Sequence, residues 1–249
     1  MSIRGIFFDL YGTLLIYGDM KAAWSDWLSA FYVCLQKYGL SISREEFSQS
    51  CDRFFSKGEP PPCQDNLTVL ERRIKTLCAE MRVDLQLAEI SFIANTIANA
   101  WQKYISLDQE AIPLLKSLYP HKVLALISNF DHPPHIHNVI SEYGFENLLK
   151  KIVISGDVGF KKPDPRIFSI ALEETRLAAS EVVYVGDTEE DVEGAKAAAI
   201  KPILIQRDGN PTDISAIDYS VNDNTYTVLN NSNDISVITK LSEVPYMFT

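Results

Sequence analysis

Short, nearly continuous apolar runs alternate with helical patterns along the second half of the chain, and this alternation constrains the fold most strongly. A further run of the same type opens the sequence. Strands buried on both faces have unbroken apolar segments, and their alternation with helices is typical of a parallel sheet. The sequence therefore predicts an α/β fold with a doubly wound parallel sheet. The predicted strands are residues 5–8, 123–127, 151–155, 182–185 and 202–205, and the predicted helices are 134–143, 166–174 and 191–199.

The segment between the first and second predicted strands is helical almost throughout, from about residue 20 to residue 104. Ser43 and Glu46 have the spacing of a capping box, and apolar residues such as Trp27 and Phe31 recur at helical intervals. We interpret these apolar stripes as the core of an inserted domain rather than as a cofactor site. The predicted division is a core domain of residues 1–16 and 106–249 with a helical cap domain of residues 17–105.

The sequence after Asn210 is polar and rich in Asp and Asn. Its few apolar residues predict a final strand near Tyr226 and a helix near Ile235.

The composition of the chain narrows the classes of partner. A formal net charge of -10 over 249 residues argues against nucleic acid and anionic membranes, which attract basic surfaces, and suits a divalent cation. The start of the chain lacks an apolar leader, and no segment approaches the length of a membrane span. We therefore expect a cytoplasmic protein. Its cysteines lack CxxC spacing, which predicts reduced, packed thiols rather than a zinc site.

Polar side chains follow the predicted strands at the same end of each strand, where ligands bind in open α/β sheets. Taken separately, each could be a turn, helix-start or solvated loop residue. Taken together, they predict one pocket that contains a hydroxyl, an amide, an ammonium and three carboxylates. The residues are Asp9, Ser128, Asn129, Lys162, Asp187 and Asp191.

Three carboxylates in one pocket repel one another, so we expect a cation that balances their charge. Mg²⁺ suits it because this ion takes a few carboxylate oxygens and keeps water and substrate phosphate as its other ligands. Ser128 and Lys162 would hold the phosphate of a small phosphorylated substrate, and Asp9 would attack phosphorus.

The chain resembles the haloacid dehalogenase superfamily in four motifs, and the resemblance extends over about residues 3–207. That family has a doubly wound parallel sheet, and most of its members are Mg²⁺-dependent phosphatases that form a phospho-aspartate. The resemblance implies that Asp9 is nucleophile and metal ligand, together with the backbone carbonyl of Tyr11, Asp187, and Asp191 directly or through water. It also implies substrate contacts for Ser128, Asn129 and Lys162. The motifs are residues 9–13, 128–129 and 162–165, and residues 186–187 with 191.

Tyr11 departs from the phosphatase pattern, which has a second aspartate at this position as general acid and base. A tyrosine with an ordinary pKa near 10 is a poor base at neutral pH, so turnover of alkyl phosphates should be slow. Tyr11 instead resembles the L-2-haloacid dehalogenases, in which a halide leaves without a proton. Those enzymes lack the metal, however, and an unneutralised Asp187 would be costly. We therefore favour the phosphatase over the dehalogenase, with a weakly active phospho-ligand sensor as a third possibility.

Three histidines follow the second predicted strand of the sheet, within the segment that starts the next helix. A metal site is one interpretation, but the adjacent prolines and helix start favour histidines at the rim of the pocket or on the surface. They are His132, His135 and His137.

Overall fold

The computed structural model describes residues 2–62, 64–207 and 235–248. The strands are β1 (Gly5–Phe8), β2 (Leu15–Tyr17), β3 (Ile105–Leu107), β4 (Val123–Ser128), β5 (Lys151–Ile154), β6 (Val182–Gly186), β7 (Lys201–Ile205) and β8 (Ser236–Ile238). The α-helices are α1 (Met20–Gln36), α2 (Arg44–Ser50), α3 (Val69–Glu80), α4 (Leu87–Gln102), α5 (Ala111–Leu118), α6 (Pro133–Tyr143), α7 (Ser155–Val158), α8 (Pro165–Thr175) and α9 (Glu189–Ala197). Short 3-10 helices cover Glu146–Leu148, Ala179–Glu181 and Leu241–Phe248.

Six strands form one sheet in the order β5-β4-β1-β6-β7-β8, and each neighbouring pair is parallel. Strand β1 lies inside the sheet between β4 and β6. All four of its residues are buried, although successive side chains point to opposite faces. Both faces of the sheet are therefore covered, which explains why its strands are unbroken apolar runs. Helix α8 packs on β4 and β5, and α9 packs on β6 and β7. The predicted α/β class is confirmed.

The chain divides into two compact units. Among the described residues, the first comprises 2–17, 106–207 and 235–248, and the second comprises 18–62 and 64–105. Strands β2 and β3 pair as a two-stranded sheet at the points where the chain leaves the first unit and returns to it.

The second unit consists of helices α1 to α4 around an aromatic core. Trp27, Phe31 and Phe54 are buried and contact one another with ring centroids 5.2 to 6.0 Å apart. The predicted capping box is present at the start of α2, where Ser43 and Glu46 exchange backbone and side-chain hydrogen bonds. Cys34, Cys51 and Cys78 are buried free thiols, as predicted, and Cys63 lies outside the described residues.

The prediction of a helix near the end of the chain was wrong. A helix was predicted near Ile235, but Ser236–Ile238 is a strand. Val237 and Ile238 are β-branched, and the free edge of β7 offers this segment a parallel ladder of backbone hydrogen bonds. The strand predicted near Tyr226 lies outside the described residues. Within the described part of the chain, none of the helices has the length and apolar character needed to cross a bilayer.

Candidate active site

The predicted polar residues are brought together at one edge of the six-stranded sheet. Asp9 follows β1, Ser128 ends β4, and Asp187 follows β6. Lys162 lies in the loop before α8, and Asp191 lies in the first turn of α9. These five side chains are all buried, with exposures of 1% to 6%. The parallel sheet therefore brings polar and charged groups from four separate chain segments into one place.

Lys162 is the centre of this cluster. Its Nζ donates to Oδ1 of Asp9 at 2.6 Å and to Oδ1 of Asp191 at 2.7 Å. It also lies 3.1 Å from the hydroxyl of Tyr184 and 3.3 Å from the carbonyl of Ile127. Burial lowers the pKa of Lys162, but Asp191 and Asp9 outweigh burial and raise that pKa above its ordinary value. The side chain is therefore a fixed positive charge at neutral pH.

Three carboxylates surround the ammonium. Oxygens of Asp9, Asp187 and Asp191 lie within 4.8 Å of one another. Burial raises the pKa of Asp9, Lys162 opposes the rise and Asp191 adds to it, so that the pKa is about 7. Burial, Asp9 and then Asp191 raise the pKa of Asp187 well above its ordinary range. Both shifts have the same physical causes: burial penalises the charged form of each carboxyl group, and the neighbouring carboxylates repel it.

Asp191 accepts more hydrogen bonds than the other two carboxylates. Its Oδ1 accepts from Lys162 and, at 2.8 Å, from the hydroxyl of Tyr184. Its Oδ2 accepts from the Thr188 hydroxyl at 2.7 Å and from the backbone N–H groups of Thr188 and Asp187. Burial opposes ionisation of Asp191, but these donors, Lys162 first, hold its pKa below the ordinary value. The Asp191 carboxylate is therefore negative at neutral pH.

Sequence reasoning missed Thr188 and Tyr184. Thr188 is the N-cap of α9 and forms a capping box with Asp191, so the Thr-x-x-Asp spacing was a usable signal. Tyr184 is a fully buried residue of β6, and its ring packs edge-on against Phe168 at 4.9 Å. In the sequence it is one more large residue of an apolar strand, so nothing there indicates that its hydroxyl reaches the charged cluster.

The loop after β1 packs directly on Asp187. Gly12 has φ +83°, and a Cβ at this position would lie 1.9 Å from Oδ2 of Asp187. The hydroxyl of the next residue, Thr13, donates to Oδ1 of the same carboxylate at 3.4 Å. Only glycine permits both the turn and this close approach.

Tyr11 lies in a stack of aromatic rings beside Asp9. Its ring centroid is 6.4 Å from that of Tyr17 and 5.4 Å from that of Phe130, with interplanar angles of 24° and 22°. Burial, Tyr143 and then Asp9 raise the pKa of Tyr11 well above its usual value. The Tyr11 hydroxyl therefore keeps its proton at neutral pH.

Ser128 and Asn129 have different surroundings. Ser128 is a buried residue at the end of β4, with 1% exposure. The Asn129 side chain accepts from the backbone N–H of Lys162 at 2.8 Å and donates to its carbonyl at 3.1 Å. It also donates to Glu190 at 3.1 Å. In this structure Asn129 holds the loop that delivers Lys162, and its contact with substrate stays a prediction.

The histidine prediction was wrong for two of the three residues. His132 and His135 are buried, at 1% and 2% exposure, and the ring of His135 stacks on Phe130 at 5.5 Å. Burial and then His132 lower the pKa of His135 to about 4, so it packs as a neutral ring. Helix α6 begins at Pro133, directly after His132, and the side of its first turn that carries His135 faces the protein interior. His137 is half-exposed, as predicted.

A comparison with known protein families identifies the family of the chain. The family model for haloacid dehalogenase-like hydrolases matches residues 3–199. The chain belongs to this family. The match includes every residue of the charged cluster, from Asp9 to Asp191, and it confirms the resemblance seen in the motifs.

Individual relatives resemble the chain either over a short stretch of sequence or over nearly its whole length at low sequence identity. The phosphoserine phosphatase of Thermus thermophilus is 38% identical over 74 residues, which are 29% of this chain and 30% of that protein. The chain thus aligns with only about a third of the length of the curated relatives it matches. A HAD phosphatase from Thermococcus onnurineus is 18% identical with a TM-score of 0.65, and a 2-haloacid dehalogenase from Pseudomonas syringae is 20% identical with a TM-score of 0.63. Each structural match covers 98% of this chain and 97% of the other, and both support the fold.

Proposed function

We propose that the protein is a Mg²⁺-dependent phosphatase that acts on small phosphorylated molecules through a phospho-aspartate at Asp9. The observation that carries this proposal is the charge of the buried cluster. Three carboxylates, those of Asp9, Asp187 and Asp191, surround one ammonium, that of Lys162. Ionised together, they leave two negative charges uncompensated in a buried site, and a divalent cation balances that charge.

The oxygen atoms present at the site suit Mg²⁺, which favours carboxylate and carbonyl oxygens as ligands. We assign Asp9, Asp187 and the backbone carbonyl of Tyr11 as its protein ligands. Asp191 would act on the ion through water, because both of its oxygens already accept hydrogen bonds. When bound, Mg²⁺ would neutralise charge on the phosphate and polarise its oxygens.

In the first step of the proposed reaction, a carboxylate oxygen of Asp9 forms a bond to phosphorus while the bond from phosphorus to the leaving oxygen breaks. Lys162 holds the Asp9 carboxylate in place and places positive charge where negative charge grows on the phosphoryl group. The Ser128 hydroxyl, at the end of β4, would donate to a phosphate oxygen. In the second step, water attacks phosphorus, the bond from phosphorus to the Asp9 oxygen breaks, and the proton of the water passes to a phosphate oxygen. Inorganic phosphate then leaves, and the Asp9 carboxylate is restored.

Tyr11 should make the second step slower than the first. Because its raised pKa keeps the hydroxyl protonated, Tyr11 can donate a proton to a leaving oxygen but cannot accept one from the attacking water. General-base help is typically worth ~10²–10⁴ in rate. An aryl phosphate, whose leaving oxygen needs no proton, should therefore phosphorylate Asp9 readily. The subsequent hydrolysis of phospho-Asp9 should be slow.

A second candidate function is 2-haloacid dehalogenation, which the tyrosine at position 11 and the similar dehalogenase structure favour. In that reaction Asp9 would displace a halide and form an ester without a metal. The buried Asp187 carboxylate would then lie beside Asp9 with no cation to balance it, which is the reason we prefer the phosphatase.

Two assays on one preparation test this choice. We expect hydrolysis of p-nitrophenyl phosphate that requires Mg²⁺, stops with chelator, and is lost in Asp9→Asn. Asp52→Asn, which alters an exposed carboxylate of the second unit, is the matched control and should retain the activity. Halide release from 2-chloropropionate that continues in chelator would overturn the proposal and establish the dehalogenase.

A further inference from the structure

Arg207 links the end of the sheet to the loop that follows the nucleophile. It comes just after β7, and its guanidinium reaches the loop after β1, far away in the sequence. Its Nη1 donates to the carbonyl of Gly12, and its Nη2 donates to the carbonyl of Thr13 at 2.7 Å. The same Nη2 donates to Oδ2 of Asp108 at 2.6 Å. One side chain thus holds two consecutive carbonyls of the loop.

Asp108 makes the link rigid on its other side. Its backbone N–H donates to the carbonyl of Leu14 at 3.0 Å, and its Oδ1 accepts from the backbone N–H of Glu110 at 2.8 Å, just before α5. The side chains of Arg207 and Asp108 are only 11% and 10% exposed. The loop after β1, the segment before α5 and the end of β7 are therefore joined by one nearly buried ion pair.

The loop held in this way is the one that packs against Asp187. Gly12 approaches the Asp187 carboxylate so closely that no side chain fits between them, and Thr13 hydrogen-bonds to it. The residue before Gly12 is Tyr11, whose carbonyl we assign to the metal. A small displacement of the loop would move both groups at once.

We propose that Arg207 is a positioning residue for the metal site. By holding the carbonyls of Gly12 and Thr13, it fixes the Tyr11 carbonyl and the surface on which Asp187 rests. This inference rests on the proposed function, because it assumes that these groups bind Mg²⁺. Arginine suits the task because its planar fork reaches several acceptors in fixed directions, which the single ammonium of lysine does not.

The test is Mg²⁺ binding measured by titration calorimetry on the full chain without substrate, so that the readout is independent of activity. We expect Arg207→Gln to weaken Mg²⁺ binding about tenfold, at the lower end of the effect typical for groups that orient metal ligands, because it acts through the loop. Arg207→Lys should weaken it less. Arg4→Gln breaks an exposed ion pair to Glu181 at the start of β1 and is the matched control, with unchanged affinity.

Arg207→Gln leaves the buried Asp108 without its partner, so a loss of stability alone would prove nothing. The double variant Arg207→Gln/Asp108→Asn removes both charges and should bind Mg²⁺ as weakly as the single variant while it unfolds at a temperature closer to that of the wild type. Folded Arg207 variants that bind Mg²⁺ as tightly as the wild type would overturn the role of Arg207 and leave the proposed function intact. A wild-type chain that binds no Mg²⁺ would overturn both.

Discussion

Replacement of Asp9 by asparagine should stabilise the metal-free protein, and the gain should grow with pH. Asp9 has a pKa of about 7 in the folded protein, against 3.8 as an ordinary value. Between these values the folded state holds a proton that the unfolded state has released, so stability falls as the pH rises. The asparagine side chain resembles the protonated carboxyl in shape and does not ionise, so the variant escapes this cost.

The size of the effect follows from the shift in pKa. From pH 5 to pH 7 the wild type loses about 1.4 kcal/mol per pH unit from Asp9, or roughly 3 kcal/mol in total. Above pH 7 the difference between variant and wild type levels off, because Asp9 is then ionised in both states. Lys162 keeps its ion pair with Asp191 in the variant, so no new unpaired ammonium offsets the gain.

The assay is urea unfolding of both proteins in chelator at pH 5 and at pH 8. We expect the difference in the free energy of unfolding, variant minus wild type, to be about 3 kcal/mol larger at pH 8. Asp52→Asn is the control and should show no such change with pH. An equal difference at the two pH values would refute the claim that Asp9 is an uncompensated buried carboxylate in the absence of metal.

Two further substitutions test other parts of the site. Tyr11→Asp supplies the missing acid and base, so turnover of an alkyl phosphate, measured as phosphate release, should rise by about 10². An unchanged rate would show that Tyr11 does not limit the reaction. Gly12→Ala places a methyl group 1.9 Å from Oδ2 of Asp187 at a φ of +83°, so Mg²⁺ affinity should fall by about a hundredfold in calorimetry. Wild-type affinity in that variant would contradict the assignment of Asp187.

The sheet could be predicted from the sequence because each of its inner strands is buried on both faces. Strand β1 was predicted with the ends that the structure has, residues 5–8, and the ends of β4 and β6 differ by one residue each. The three-residue strand β8 was missed, because so short a segment has no periodicity and its structure depends on the free edge of β7.

The charged residues of the site could be predicted because a parallel sheet brings the carboxyl ends of its strands to one edge. The contacts that support these residues could not be predicted from the sequence. Nothing local distinguishes Tyr184 from its apolar neighbours in β6, and the contact of Arg207 with Gly12 joins residues 195 positions apart. The burial of His135 depends on how α6 packs against Phe130, which the adjacent prolines do not reveal.

The central claim is that Asp9 takes the phosphoryl group from the substrate and loses it slowly, since Tyr11 cannot activate water. The most direct measurement is rapid mixing of the Mg²⁺-loaded protein with p-nitrophenyl phosphate, followed by acid quench and mass spectrometry of its peptides. We expect a burst of p-nitrophenol close to the enzyme concentration, with a phosphoryl adduct on the peptide that contains Asp9. Steady turnover with no burst and no adduct on that peptide would contradict the account.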